Sequence, residues 1–341
     1  MKAMLLAGGL STRLYPLTKT VPKPLVPVAG VPNAIHLIKY LKSFGYDEIA
    51  INVHYLADAI TAALGDGSAF GVRLEYLHEA TLMGSAGALR PMQRFFGSET
   101  FVVVGCDDLT DLPLDRLVAM HEAKRAIATI GLVTREQVDQ YGVVVTDPDG
   151  RITGFQEKPA PGTERSNLVN TGIYAFSPQI FERIPAETFY DFGKQVFPEL
   201  LVDGLPFYGY DARGAYWCDI GTPGEYRRAS ADVVNGAFHI PDTRANGADP
   251  TARIAPSAAI DANVWIGARA RIGERVRIAG PSVIGDGTVV EDGAILEASI
   301  VWEESTIGAG AHLRRAIVGK DTRIDGGTQI DGDIVASCQP V

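Results

Sequence analysis

Residues 3–14 read AMLLAGGLSTRL, an apolar run that ends in two glycines. Such a run is typical of a strand that is buried on both faces of a parallel sheet. The glycine-rich turn after it exposes backbone N–H groups that suit a phosphate or a base edge. It is neither the G-x-G-x-x-G fingerprint nor a Walker loop, and a plain strand-to-helix turn is the alternative. Arg13, together with Lys23 between Pro22 and Pro24, adds two cations that could clamp a polyphosphate.

Strand and helix patterns alternate beyond this turn, up to about residue 236. Apolar residues with helical spacing predict helices over Pro32–Phe44, Ala57–Leu64 and Leu114–Ala123. Strands are predicted at Ala3–Ala7, Ile49–Val53, Phe101–Val104, Ile130–Val133, Val143–Val145 and Arg151–Phe155. Strands that are separated by helices form βαβ units. We therefore predict a Rossmann-like α/β domain with a mixed, mostly parallel sheet that is covered on both faces.

The C-terminal part of the chain has a different period, in which an aliphatic residue recurs every six positions. The series comprises Ile254, Ile260, Ile266, Ile272, Ile278, Ile284, Val290 and Leu296, then Val301, Ile307 and Leu313 after a five-residue step, then Val318, Ile324 and Ile330 after another. A hexapeptide period marks a parallel β-helix whose aliphatic residues point inward and stack. We predict a left-handed parallel β-helix of hexapeptide repeats. The predicted domains are 1–236 and 251–341, joined by a linker at 237–250 that is rich in Pro, Gly, Asp and Asn.

The composition excludes several classes of function. The 341 residues carry a net charge of −10, so neither nucleic acid nor an anionic membrane is an expected partner. Cys106, Cys218 and Cys338 lie far apart without a C-x-x-C pair, which argues against disulfides and a zinc site and favours a reducing, cytoplasmic location. The first residues loosely imitate a signal peptide, but their short apolar run fits a buried strand better. No stretch approaches the roughly 20 apolar residues of a membrane span.

The stretch from Leu6 to Val28 resembles the signature of the sugar-1-phosphate nucleotidyltransferases. Further stretches resemble the family's motifs in the same order, namely Gly84–Leu89, Gly105–Asp111, Glu157–Pro159, Asn170–Tyr174 and Trp217–Pro223. The resemblance covers essentially the whole chain, because mannose-1-phosphate guanylyltransferases also carry a hexapeptide tail. Two departures are Ser11 at the second glycine of the family's G-x-G-T-R and Cys106 in place of a glycine. Asp107 and Asp108 leave the register of the aspartate motif open by one residue, and alignment favours Asp107.

The resemblance implies Mg²⁺-dependent transfer of a nucleotidyl group from an NTP to a sugar 1-phosphate. Such a reaction needs positioning and neutralisation of charge rather than a covalent nucleophile. Arg13 and Lys23 would hold the triphosphate, Asp107 and Asp219 the Mg²⁺, and Lys158 the sugar phosphate; these five are the implied catalytic residues. The implied nucleotide-binding residues are Leu6, Ala7, Gly8, Gly9, Ser11, Thr12, Arg13, Lys23, Glu79 and Gly84. The implied sugar-phosphate-binding residues are Gly142, Glu157, Lys158, Asn170 and Thr171.

Glu79 lies where the family reads the edge of the base. Guanine offers two adjacent donors, N1–H and N2–H₂, and a carboxylate accepts both. Thymine and uracil offer one donor between two acceptors, for which an amide is the better match. The residue type therefore favours GTP, and the resemblance to the guanylyltransferases implies mannose 1-phosphate or a related hexose 1-phosphate, since the residues themselves do not identify the sugar. A surface glutamate without a role is the alternative.

Three other functions stay open at this stage. A similar core serves enzymes that use dTTP or UTP with glucose 1-phosphate. A non-catalytic regulatory subunit would bind a sugar nucleotide, although the charged residues of the site are all present here. A bifunctional acyltransferase would need a catalytic histidine on the coils, where only His312 lies. We therefore expect the β-helix to form a homo-oligomer or to act in allostery.

Overall fold

A computed structural model describes residues 1–241 and 243–337 of the chain; Cys338 lies outside the described residues. The chain forms two compact units. The first contains Met1–Gly9 and Leu37–Asp219, and the second contains Leu10–His36 and the described residues from Ile220 onward.

The helices are α1 Asn33–Ser43, α2 Ala57–Leu64, α3 Gly84–Gly87, α4 Gln93–Phe96, α5 Leu114–Ala123, α6 Phe197–Val202 and α7 Pro223–Val234. The first thirteen strands are β1 Lys2–Leu6, β2 Pro27–Val28, β3 Val31–Pro32, β4 Glu48–Val53, β5 Arg73–His78, β6 Phe101–Gly105, β7 Asp108–Thr110, β8 Ala128–Thr134, β9 Gly142–Thr146, β10 Ile152–Glu157, β11 Leu168–Phe176, β12 Phe207–Asp211 and β13 Trp217–Asp219. Helices α2 and α5 have the predicted bounds.

The first unit is built on a nine-stranded mixed sheet. Its main path is β10-β9-β11-β6-β1-β4-β5, and β8 joins β11 to β12. Strands β6, β1, β4 and β5 are parallel, whereas β11 is antiparallel to β6, β8 and β9. The central strands β1 and β6 are largely buried apolar runs, as expected where both faces of a parallel sheet are covered, whereas the edge strand β5 is mostly polar and partly exposed. The predicted α/β class with a mixed sheet is confirmed.

His121 of α5 lies in the core of this unit. Its Nδ1 is 2.9 Å from Thr129 Oγ1, and its Nε2 is 2.9 Å from Ser177 Oγ. The Ser177 hydroxyl donates to Ala126 O at 2.7 Å, so Nε2 carries the imidazole hydrogen and Nδ1 accepts from Thr129. Burial lowers the pKa of His121 to about 4, so its ring is neutral at pH 7.

The second unit contains the parallel β-helix. Its strands are β14 Gly247–Ala248, β15 Arg253–Ile254, β16 Ala259–Ile260, β17 Val264–Ile266, β18 Arg271–Ile272, β19 Arg277–Ala279, β20 Ser282–Ile284, β21 Val289–Val290, β22 Ile295–Glu297, β23 Ile300–Val301, β24 Thr306–Ile307, β25 His312–Arg314, β26 Ile317–Val318, β27 Arg323–Ile324, β28 Gln329–Asp331 and β29 Ile334–Val335. They form three parallel sheets that every coil visits in turn.

The aliphatic series lines the inside of the β-helix, as predicted. Ile272 pairs with Val290 in the next coil, and Val290 with Ile307 in the coil after it. Equivalent positions are 18 residues apart in the first coils and 17 apart in later ones. The five-residue steps of the sequence thus shorten a coil without moving its aliphatic residues off the inner face. Among the described residues, no helix is long and apolar enough to cross a bilayer.

Candidate active site

The carboxyl ends of β1, β4 and β5 bring three residues of the candidate site together. Gly8 follows β1, Asn52 lies near the end of β4, and Glu79 follows β5. Ligands of open α/β sheets bind at this end of parallel strands. A Cβ at Gly8 would lie 2.8 Å from Asn52 Nδ2 and 2.9 Å from Glu79 Oε2, so only glycine fits there. A Cβ at Gly9 would meet open space instead.

A chain of hydrogen bonds holds Glu79. The Ala7 N–H donates to Asn52 Oδ1 at 2.9 Å, and Asn52 Nδ2 donates to Glu79 Oε2 at 2.6 Å. The Met83 N–H donates to the other oxygen, Oε1, at 3.1 Å. Glu79 is only 8% exposed, so the alternative of a solvated surface glutamate is wrong. Each carboxylate oxygen has a second lone pair and can still accept from a ligand.

Asn52 hydrogen-bonds to the candidate site residue Glu79, and the motifs did not indicate it. It is the polar member of the strand IAINV at residues 49–53, and it is buried. A buried amide needs hydrogen-bond partners. An asparagine near the carboxyl end of an otherwise apolar strand therefore indicates a polar contact at that end of the sheet. The motifs do not include Asn52, because this strand lies outside the stretches that resemble the family.

The segment around Tyr190 fixes the second glycine-rich loop, α3. Gly84 has φ +78°, and a Cβ there would lie 2.5 Å from Tyr190 O. The same oxygen accepts from the Ala86 and Gly87 N–H groups at 3.0 and 2.9 Å. Ser85 Oγ donates at 2.8 Å to Asp191 Oδ2, which lies 106 residues further along the chain. The backbone conformation of this loop is therefore fixed by a segment that is distant in sequence.

The three aspartates of the predicted metal motifs lie at adjoining strand ends. Asp107 follows β6, and Asp219 ends β13 opposite Asp108 in the antiparallel pair with β7. Asp108 is buried, and its Oδ1 accepts from Trp217 Nε1 at 2.9 Å. Asp107 and Asp219 are half-buried. The two carboxylates that the motifs single out thus differ from Asp108 in their access to solvent.

Glu157 and Lys158 lie at the end of β10 beside the first residue of β9. Gly142 pairs with Glu157, and a Cβ on Gly142 would lie 3.2 Å from Glu157 Oε2. A Cβ on Gly193 would approach the same oxygen to 2.6 Å. Glu157 is exposed as a residue, but partial burial of its carboxyl group raises its pKa, and the charge of Asp191 adds to the rise. The ammonium groups of Lys158 and Lys194 oppose this shift of the Glu157 pKa.

Asn170 and Thr171 lie on β11, where its pairing with β8 is irregular. Asn170 is half-buried; its Nδ2 donates to Tyr174 Oη at 3.1 Å and its Oδ1 accepts from the Gly172 N–H at 2.9 Å. Thr171 is buried, and its hydroxyl donates to Gly131 O at 2.8 Å. The hydroxyl hydrogen of Thr171 is therefore used in a hydrogen bond within the sheet. A role of Thr171 toward a sugar phosphate stays a prediction.

The second unit carries the remaining predicted site residues. Ser11 has φ 53°, in the left-handed region that favours glycine, and its carbonyl accepts from Thr18 Oγ1 at 2.7 Å. Thr12 and Arg13 are exposed in the short 3₁₀ turn Thr12–Leu14. Lys23 is half-buried at the start of a second 3₁₀ turn, Lys23–Leu25. Leu6 belongs to the first unit, where its carbonyl accepts from the Cys106 N–H at 3.1 Å.

Comparisons with known proteins agree with the fold. A family model described as "Nucleotidyl transferase" matches residues 2–236, and one described as "GMPPB C-terminal domain" matches residues 245–341. HddC from Yersinia pseudotuberculosis has a similar crystal structure, with a TM-score of 0.59, 26% sequence identity, and coverage of 67% of this chain and 97% of that one.

Two curated relatives carry enzyme names. The UTP–glucose-1-phosphate uridylyltransferase of Synechocystis sp. is 42% identical over 248 residues, which cover 69% of this chain. The mannose-1-phosphate guanylyltransferase of Mycobacterium tuberculosis is 35% identical over 244 residues, which cover 71% of this chain. The alignments span 64% and 67% of these two relatives. The family match over residues 2–236, the mixed sheet and the order of the motifs lead to one conclusion: the chain belongs to the nucleotidyl transferase family.

Proposed function

We propose that this chain transfers a nucleotidyl group from an NTP to a sugar 1-phosphate, giving an NDP-sugar and pyrophosphate, and that the pair is GTP and mannose 1-phosphate. Family membership supports the reaction class. The observation that supports this reaction at the candidate site is the pair of half-buried carboxylates, Asp107 and Asp219, at adjoining strand ends.

The reaction requires an in-line displacement at the α-phosphorus. A phosphate oxygen of the sugar 1-phosphate forms the new P–O bond, the bond between the α-phosphorus and its bridging oxygen breaks, and pyrophosphate leaves. Lys158 binds the attacking phosphate and orients it, while Glu157 and Asn170 accept and donate at the sugar hydroxyls. Arg13 and Lys23 hold the triphosphate and stabilise the charge that collects on the leaving pyrophosphate.

The donor set fits Mg²⁺. Among residues 1–241 and 243–337, no group of three or more His, Cys, Asp or Glu side chains is placed to hold a metal ion. A Mg²⁺ site of this class does not need one, because the ion prefers one or two carboxylates together with phosphate oxygens and water. Asp107 and Asp219 would supply the carboxylates. When bound, the ion neutralises charge on the phosphate oxygens.

The case for GTP rests on Glu79. Its carboxylate is held in place by Asn52 and by the Met83 N–H, and this leaves one lone pair on each oxygen for a ligand. Two adjacent acceptors match the N1–H and N2–H₂ donors of guanine. The hydrogen-bond chain includes Ala7, which leads into the first glycine-rich turn. The same network would therefore fix the position of the base relative to the phosphates.

Uridylyl transfer to glucose 1-phosphate is the second candidate. It is favoured by the relative named UTP–glucose-1-phosphate uridylyltransferase, which is more similar in sequence than the guanylyltransferase named above. Thymidylyl transfer is the corresponding reaction with dTTP.

A matrix assay separates these functions. The full chain is incubated with Mg²⁺, with each of GTP, ATP, UTP, CTP and dTTP, and with mannose 1-phosphate or glucose 1-phosphate, and pyrophosphate release is followed. We expect GTP with mannose 1-phosphate to turn over fastest. Fastest turnover of UTP or dTTP with glucose 1-phosphate would replace the proposed pair. Binding of an NDP-sugar without turnover of any pair would favour a regulatory subunit.

The β-helix supports a proposal about assembly. Ile254, in its first coil, is 39% exposed, and Ile260 beside it is only partly covered, so this end of the aliphatic core lacks a cap within the described residues of the chain. We expect a homo-oligomer that buries this end, which light scattering on the full chain tests. The domain bounds 1–236, 237–250 and 251–341 and the cytoplasmic location stay predictions.

A further inference from the structure

One outer face of the β-helix is apolar, which is unusual for a surface. On the sheet β14-β17-β20-β23-β26-β29, the outward positions are Trp265, Val283, Ile300 and Ile317, and all four are buried. On the neighbouring sheet, the corresponding positions include Arg253, Arg271 and Arg323, which are exposed. Large apolar faces of this kind mark an interaction surface.

Residues 10–36, which carry Arg13 and Lys23 and are called the signature segment here, pack on this face. Gly30, in the turn between β2 and β3, has φ +72°, and a Cβ there would overlap with Cη2 of Trp265. Leu17 Cδ2 lies 3.2 Å from the position a Cβ on Gly319 would take. Helix α7 packs against both β2 and β20. An early coil and a late coil of the β-helix therefore each approach the signature segment, at Trp265 and at Gly319.

Two hydrogen bonds in series join the β-helix to the signature segment through Tyr226 of α7. Trp302 Nε1 donates to Tyr226 Oη at 2.9 Å, and the Tyr226 hydroxyl donates to Pro27 O at 2.6 Å. Both aromatic side chains are buried, with an edge-to-face contact at 6.4 Å between ring centroids. Burial raises the pKa of Tyr226 well above its ordinary value, so the hydroxyl keeps its hydrogen at neutral pH.

Pro27 is tied closely to Lys23. The Val26 N–H donates to Lys23 O at 3.0 Å, and the Leu25 N–H donates to Pro22 O at 2.8 Å. Prolines at 22, 24 and 27 fix φ through this stretch. Because this backbone has little freedom, a shift of the Pro27 carbonyl would also move the turn that contains Lys23.

We propose that the β-helix is part of the triphosphate-binding apparatus, and that Trp302 is a positioning residue which holds the Lys23 turn through Tyr226 and Pro27. The inference rests on the proposed role of Lys23 toward the NTP. It assigns the tail a function in the reaction in addition to assembly. It also accounts for the fact that residues 10–36 fold with the β-helix rather than with the sheet they follow in sequence.

Trp302→Phe tests the proposal, because it removes the N–H donor and keeps most of the apolar surface. Loss of one neutral hydrogen bond predicts a rise of about 2- to 10-fold in KM for the NTP, with kcat and KM for the sugar 1-phosphate unchanged. Tyr226→Phe removes both bonds and should raise the NTP KM at least as much. A second readout is the rate at which acetic anhydride labels Lys23, measured by mass spectrometry with and without Mg²⁺-NTP; protection by the nucleotide should weaken in both variants.

Ser299→Ala is the matched control. The Ser299 hydroxyl is buried, accepts from the Ala316 N–H at 3.1 Å and donates to Glu297 O at 2.9 Å, all within the β-helix. It should lower the thermal unfolding midpoint while leaving the NTP KM and Lys23 protection as in the parent. If Trp302→Phe and Tyr226→Phe behave like this control, the proposal is overturned.

Lys23→Met separates this proposal from the one on which it rests. An unchanged NTP KM in Lys23→Met would remove Lys23 from the triphosphate site. A raised NTP KM in Lys23→Met, with parental values in Trp302→Phe, would keep the proposed role of Lys23 and overturn the positioning role of Trp302.

Discussion

Glu79 can be converted to an amide without disturbing the hydrogen bonds around it, provided that Asn52 is changed with it. In Glu79→Gln alone, the new amide cannot accept from both Asn52 Nδ2 and the Met83 N–H, so two donors face each other. Leaving a buried donor without an acceptor costs about 1–3 kcal/mol, which would disturb the loop as well as the base. The single variant therefore mixes two effects.

The double variant Asn52→Asp with Glu79→Gln exchanges donor and acceptor. The carboxylate introduced at position 52 accepts from the Ala7 N–H and from the amide group introduced at position 79. The carbonyl oxygen of that amide accepts from the Met83 N–H. The network and the net charge are conserved, so we expect the free energy of unfolding to stay within about 1 kcal/mol of the parent.

The base preference should change in the double variant. One guanine N–H would then face an amide hydrogen, and a hydrogen bond to a charged group is worth about 1.5–3 kcal/mol. This predicts a loss of about 10- to 100-fold in kcat/KM for GTP, and a gain for UTP or dTTP relative to GTP. Pyrophosphate release over a range of NTP concentrations measures both. An unchanged GTP preference in a double variant of parental stability would show that Glu79 does not read the base.

Three further changes test the site and the core. Asp219→Ala should lower kcat by about 10²-fold or more, because charge stabilisation of the reaction is lost. The control Asp203→Asn, at an exposed ion pair, should keep parental turnover. Similar kcat values in the two variants would remove Asp219 from the metal site. Gly84→Ala places a Cβ 2.5 Å from the Tyr190 carbonyl oxygen and should raise the NTP KM. Gly97 has a similar φ and open space around it, so Gly97→Ala should only lower stability. Equal NTP KM values in the two variants would refute this steric interpretation. His121 has a folded pKa of about 4 against an ordinary 6.5, so its stabilising contribution is complete above pH 6.5 and is lost as the pH falls toward 4. The parent should lose about 3 kcal/mol over that range relative to His121→Gln in chemical denaturation, and parallel curves would contradict the shift.

Much of the fold could be predicted because its patterns are local. The six-residue period and its two five-residue steps follow from which side chains face inward on each coil, and that direction depends on neighbours in sequence. The helices α2 and α5 follow in the same way from apolar spacing. The antiparallel insertion of β11 between β6 and β9 could not be predicted, because strand order depends on crossovers that leave no local pattern.

The candidate site was predicted unevenly for the same reason. Glu79, Asp107 and Lys158 lie in recognisable stretches, and their proposed roles stay predictions until the variants are measured. Asn52 was missed, since its partner Glu79 is 27 residues away and only the parallel pairing of β4 with β5 brings them together. The different environments of Asp107 and Asp108 also required the indole of Trp217, 109 residues beyond Asp108.

The sequence by itself determined that an apolar first strand enters a glycine-rich turn and that the tail winds into a parallel β-helix, because both are written in short-range patterns. The tertiary structure alone decided that this same turn continues into a segment packed on the β-helix, through a Tyr226–Pro27 bond between residues 199 positions apart. Contacts at that separation depend on how complete elements pack, and side-chain periodicity within one element carries no information about its neighbour.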